Sequence, residues 1–160
     1  MMRVWRIAAD APTYAADDLT GTGAKLSGGR WNRKGTPMVY AAASRALACL
    51  ETLVHLNAGD LPLNRYLVEL LIPEKLFASA VHFKPQAHVG WDAIPEGLVS
   101  LDAGQAWVRQ GRSAVMVVPS VLVPEEFNVL INPAHPDAGS IAARKIRKWL
   151  YPQSRAQTHP

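Results

Sequence analysis

The apolar runs of this chain are short and arrive without rhythm, and that limits its fold more than any other feature. "PMVYAA", "NRYLVELLI", "SAVMVVPS" and "FNVLIN" are bounded by proline, serine, asparagine or glycine and read as strands at about 38–41, 64–72, 113–120 and 127–132, with a first strand over 4–7. Ser44 stands as an N-cap ahead of "RALACLETLVHLNAG", which predicts a helix from Ser44 to about Asn57 closed by Gly59. The helix is apolar nearly all round and is expected to be buried. Asp102 is expected to cap a helix through Trp107 to Gln110 that Gly111 stops, and a last helix is expected over 138–150, with Arg144, Lys145, Arg147 and Lys148 on its solvent face. Residues 9–29 hold no sustained period and read as one long functional loop, while 73–101 read as short elements joined by turns. A doubly wound parallel sheet needs a helix between successive strands; here strands follow strands. The expected class is α+β, with a mixed or antiparallel sheet core and flanking helices.

At 160 residues, 49% of them apolar and 19% charged, the chain suits one folded domain, expected over 1–150 with a flexible tail over 151–160. The net charge of +4 favours anionic partners. Cys49 is the sole cysteine, which excludes an intrachain disulfide and a cysteine-built zinc site and fits a reducing, cytoplasmic setting. No H-x-x-x-H or H-E-x-x-H spacing occurs, so no metal is expected. No run approaches the roughly 18 apolar residues of a membrane span.

A few side chains stand out as chemical. Helical spacing sets Glu51 on the inward face of its helix near Leu47 and Val54, where a carboxylate needs either a partner, such as Arg45 or Arg30, or a task. Arg6 lies in a strand and Arg30 follows Gly28 and Gly29, an arrangement in which a guanidinium offers two parallel N–H donors to a phosphate and the glycine backbone can approach it. "GTGAKLSGG" nevertheless matches neither the dinucleotide fingerprint nor the P-loop. Tyr40 ends a short strand, where its ring can stack on a flat heterocycle or simply fill the core. Ser120 leaves a buried strand at Pro119, a position from which loops build sites.

"GGRWNRKGTPMVYAAASRALACLETLVHL" followed by "VPSVLVPEEFNVLINPAHPD" resembles the RES family, the toxins of RES–Xre toxin–antitoxin systems, named for an arginine, a glutamate and a serine that fall here on Arg30, Glu51 and Ser120. The resemblance runs from "VWRI" to "NPAHPD". It implies a fold similar to ADP-ribosyltransferases and an enzyme that cleaves the nicotinamide–ribose bond of NAD, held as substrate with no prosthetic group. By the same resemblance Arg6 and Arg30, beside Gly29, would hold the pyrophosphate, Tyr40 would pack on the nicotinamide side, Glu51 would face the ribose, and Ser120 and Asn128 would help fix the dinucleotide. The implied partner is an Xre-like DNA-binding antitoxin; self-association is possible within the family, and neither membrane nor direct DNA binding is expected. One departure is visible, since Gly104-Gln105-Ala106-Trp107 stands where such sequences often read Gly-Asp-x-Trp. The implied activity is NAD depletion by hydrolysis or phosphorolysis, with ADP-ribosylation of a cellular protein as the alternative. A nucleic-acid-binding or RNA-cleaving toxin, motivated by the positive charge, and a plain interaction module are the readings from other classes.

Overall fold

The computed structural model describes residues 1–54 and 64–151. Seven strands form one sheet in the order β4-β5-β6-β2-β1-β3-β7. They are β1 (Met2–Ala9), β2 (Val39–Ala42), β3 (Arg65–Ile72), β4 (Val81–His82), β5 (Val115–Pro119), β6 (Phe127–Ile131) and β7 (Ala142–Lys148). The β4–β5 pair is parallel and every other pair antiparallel, so the mixed α+β class holds. The helices are α1 (Thr22–Ser27), α2 (Arg45–Leu53), α3 (Glu74–Ala78) and α4 (Leu98–Gln110).

The sheet has a seam. β1 and β3 pair over their whole length, from Met2↔Ile72 to Ala9↔Arg65, whereas β1 and β2 share the single position Trp5↔Ala42. Partners directly across a ladder lie on one face. Trp5, Ala42, Tyr40, Asn128, Leu130, Val118 and Met116 therefore share a face, and Val4, Ala41, Val68, Val115, Val129 and Ile131 line the other. The first face carries two apolar clusters: Trp5, Ile7, Ala42 and Leu67 under Leu47 and Ala48 of α2, and Met38, Met116, Val118 and Leu130 under Trp31, Trp91 and Trp107. The gap between these clusters is where the polar side chains gather.

Three expectations change. The segment expected as a last helix is a strand: a short 3-10 turn over Pro136–Ser140 leads into β7, which pairs antiparallel with β3. The helix-like spacing of Ala142, Ile146 and Trp149 misled, because a bulge produces it; Leu67 pairs with Arg147 and Val68 with Lys145, which leaves Ile146 as the extra residue. The open edge of β3 needed hydrogen-bond partners, and that need outweighs a modest helix propensity. Asp102 is not a cap, since α4 begins four residues earlier behind Gly97, in the turn that follows Pro95. Asp102 instead meets Arg33 at 2.9 Å.

The helix carrying Glu51 is half-buried. Ser44 caps it as expected, its hydroxyl accepting from Leu47 N, but only Leu47 and Ala48 are buried, with Leu50 and Leu53 38% and 40% exposed. The expected continuation to Asn57 and Gly59 lies outside the described residues. The long loop over 9–29 contains α1 and is tied down by bridges Ala11↔Tyr14 and Gly29↔Asn32. At the other end Tyr151 shares a 2.7 Å hydrogen bond with Thr52 and packs beside Trp149, so the fold reaches past 150; the rest of the expected tail, residues 152–160, lies outside the described residues. Among the described residues no helix is long and apolar enough to cross a membrane.

Candidate active site

Glu51, Ser120 and Asn128 come together from three elements. The Ser120 hydroxyl donates to Glu51 Oε1 at 2.7 Å, and Asn128 Nδ2 donates to the same oxygen at 2.8 Å. Ser120 is fully buried one residue beyond β5, and its Oγ accepts from the backbone N–H groups of Leu122 and Val123, both at 3.1 Å. Those two donors fix the rotor, so the hydroxyl proton points at the carboxylate. Asn128 faces α2 because it pairs with Ala42 on one side and Val118 on the other. Its Oδ1 is buried without a partner, a polar orphan beside the acid. Among the described residues no donor reaches Glu51 Oε2, and no arginine pairs with this carboxylate. Arg45 lies over the Trp5 ring at 3.8 Å, and Arg30 is engaged elsewhere.

The second part of the site is the 28–36 loop. Arg30 Nη1 donates to the carbonyls of Trp91 and Ala93, both at 3.0 Å, which leaves its Nη2 and Nε without an acceptor among the described residues. Tyr40 Oη donates to Asn32 Oδ1 at 2.6 Å and accepts from Trp31 N at 3.0 Å. Burial pushes the Tyr40 phenol above its ordinary pKa, outweighing the hydrogen bonds with Trp31 and Asn32. A Cβ on Gly29 would come within 2.8 Å of Tyr40 Oη, so this glycine makes room for the tyrosine. The two parts meet through the sheet: Tyr40 pairs with Leu130 and Ala42 with Asn128, which makes Tyr40 and Asn128 diagonal neighbours on one face, about 7–8 Å apart.

The segment before Trp107 has a structural task. A Cβ on Gly104 would lie within 1.9 Å of the Trp31 carbonyl oxygen, so α4 and the loop touch through backbone. Gln105 Oε1 accepts from Arg33 N at 3.0 Å and its Nε2 donates to Thr36 Oγ1 at 3.2 Å. An amide supplies both donor and acceptor here, which an aspartate does not.

Arg6 is set apart from this group. It pairs with Val68 and so shares the pleat of Val4 and Ala8, on the face away from α2, one residue past the seam pairing at Trp5. Its Nε is buried without a hydrogen-bond partner; burial lowers its pKa, against the raising effect of Asp18 and Tyr14. Two residues that sequence reasoning passed over also matter. Asn32 is 1% exposed, and Glu69, an acid inside "LVELLI", is 5% exposed and paired with Arg144 at 3.3 Å. An acid in an otherwise apolar strand was the available signal for Glu69. The cations read as a free helix face are largely committed: Lys145 bonds Asp10 at 2.9 Å and Arg147 lies 4.7 Å from the Trp149 ring. Among the described residues no group of three His, Cys, Asp or Glu side chains could hold a metal ion.

The mixed seven-stranded α+β sheet is consistent with the ADP-ribosyltransferase-like fold of RES domains. The chain belongs to the RES domain family, whose model matches residues 3–154. It is 64% identical over 148 residues to the "Prs ADP-ribosylating toxin" of Sphingobium sp. (strain YBL2), covering 92% of each chain. It is 37% identical over 141 residues to "Toxin Res" of Pseudomonas putida, covering 87% of this chain and 90% of the relative. A "Toxin Res" of Yersinia enterocolitica is likewise 37% identical, over 123 residues, with 76% and 79% covered.

Proposed function

We propose that this protein is a toxin that breaks the nicotinamide–ribose bond of NAD and transfers ADP-ribose to a cellular protein. The observation that carries the reading is Glu51, a half-buried carboxylate held by two neutral donors and, among the described residues, by no cation. Neutral donors orient the acid without cancelling its charge. When the C1′–N bond breaks, its electron pair leaves with nicotinamide and positive charge develops on the ribose; a fixed carboxylate in a site shielded from water stabilises that charge. The acceptor's nucleophilic atom then bonds C1′ and gives up its proton.

Other residues support the same substrate. The orphan Nε of Arg6 and the free edge of Arg30 are cationic donors lacking acceptors, the type of group that a pyrophosphate satisfies. Transfer to a protein is favoured over hydrolysis or phosphorolysis by the name of the 64% identical relative, an ADP-ribosylating toxin of Prs, which makes Prs the first acceptor to try. The same family membership supports an antitoxin partner, with an Xre-like DNA-binding protein as the candidate.

The test is to incubate purified protein with NAD, alone, with phosphate and with Prs, and follow nicotinamide by chromatography and ADP-ribose by mass spectrometry. Nicotinamide release that requires Prs, with Prs gaining one ADP-ribose mass, supports the proposal. Release with water or phosphate alone moves the assignment to NAD depletion, and no release under any condition removes NAD as substrate.

A further inference from the structure

We propose that Asn32 is a positioning residue, one that fixes the Tyr40 ring as a flat wall of the nucleotide site by accepting a hydrogen bond from its hydroxyl. The inference rests on the reading of this site as one for NAD. Asn32 is almost fully buried, and the surrounding backbone determines which way its amide points. The two N–H groups of Nδ2 point to the carbonyls of Ala24 at 2.8 Å and Thr36 at 3.0 Å, with Arg33 O at 3.3 Å sharing one of them, acceptors that only the nitrogen end can meet. The oxygen end is thereby turned to Tyr40, whose hydroxyl meets it at 2.6 Å. Trp31 N completes the arrangement by donating to the same phenol oxygen.

The consequence is chemical as well as geometric. A phenol whose proton is held by an amide and whose oxygen already accepts a backbone N–H is unsuited to proton transfer. What Tyr40 contributes is the surface of its ring, and that surface is placed by Asn32. Gly29 belongs to the same device, since a methyl there would meet Tyr40 Oη at 2.8 Å and Asn32 Oδ1 at 3.0 Å, wedging between them. The sequence "GGRWN" thus supplies, within five residues, the glycine that admits the tyrosine, the backbone donor from Trp31 and the amide that holds the hydroxyl.

The experiment compares initial rates of nicotinamide release against NAD concentration, with Prs and with phosphate present as acceptors, for the wild type, Asn32→Ala, Tyr40→Phe, Gly29→Ala and the double variant Asn32→Ala/Tyr40→Phe, with thermal melting alongside. Loss of ring placement is expected to raise KM for NAD about tenfold and to leave kcat within about threefold, because the ring binds substrate and moves no proton. The double variant is expected to be no worse than the more affected single one, since both changes remove the same link. Gly29→Ala disturbs the pair without touching the carbonyl bonds of Asn32, so it decides the matter if Asn32→Ala does not fold. Unchanged KM in both Tyr40→Phe and Gly29→Ala overturns the proposal, as does a fall in kcat at constant KM or a double variant whose losses multiply. Silence of the wild type instead overturns the NAD reading, and the wall role with it; wild-type turnover with normal variants overturns Asn32 alone.

Discussion

Glu51 and Glu69 are both acids drawn into this protein, and the structure treats them in opposite ways. Glu69 sits on β3 among Leu67, Leu70 and Leu71 and is answered by the Arg144 guanidinium at 3.3 Å from the neighbouring edge strand β7. Its negative charge is matched by a positive one, so the pair's contribution is to pin β7 to β3. Among the described residues Glu51 is met only by a hydroxyl and an amide. Uncharged donors hold it in position and leave its field directed outward, the arrangement that costs a resting protein something and serves one in which a cation will form. The partner's charge, more than the depth of burial, separates the structural acid from the chemical one.

The largest effect expected from this contrast is on turnover. Glu51→Gln preserves shape and hydrogen-bonding capacity and removes the charge, so NAD consumption should fall about a hundredfold to a thousandfold while the melting temperature stays close to wild type. A variant that unfolds, or one that keeps full turnover, would break the contrast. Next come the donors: Ser120→Ala and Asn128→Ala each free the carboxylate to reorient and are expected to lower kcat about tenfold, measured in the same assay. Equal losses from both would sharpen the view that the two donors act on one oxygen.

Arg144→Ala should do the reverse. It leaves a buried carboxylate without its cation, and urea denaturation should show a loss of about 1–2 kcal/mol, at the low end for ion pairs because Arg144 itself is 69% exposed, with NAD turnover unchanged. A drop in turnover at constant stability would erase the distinction between the two acids. The smallest effect concerns Asp10, whose carboxyl is lowered below its ordinary pKa chiefly by the Ala16 backbone N–H and then by Lys145. A folded pKa below the unfolded one gives stability that is present above the unfolded value and is lost as the pH falls through the folded one. Asp10→Asn should therefore lower the urea midpoint slightly at pH 7 and have less effect near pH 3; an equal or larger effect in acid would contradict the assignment.

Much of this was legible in one dimension. Short strands broken by Pro73, Pro119 and Pro133, the Ser44 cap and the Gly111 stop follow from local stereochemistry, so the α+β class could be read and five of the seven strands could be placed to within two residues at each end. Glu51, Ser120 and Asn128 were named from sequence, and they do converge. β7 was not legible, because the bulge at Ile146 gave a strand the spacing of a helix, and only the vacant edge of β3 decides between them. The depth of α2 was misjudged for a related reason: a side chain's periodicity says which face it lies on, while exposure depends on how far the neighbouring layer extends.

What the sequence determined alone is what adjacent residues settle among themselves: where strands end and where α2 begins. Only the tertiary structure decided that Glu69 would find a guanidinium and Glu51 would not, that Arg6 would sit across the pleat from the acid it was grouped with, and that the buried amide of Asn32 would point its oxygen at a phenol. Charges and hydrogen-bond donors act through distances of a few ångströms, and distances between residues 69 or 77 positions apart, such as those joining Glu51 to Ser120 and Asn128, are set by packing alone.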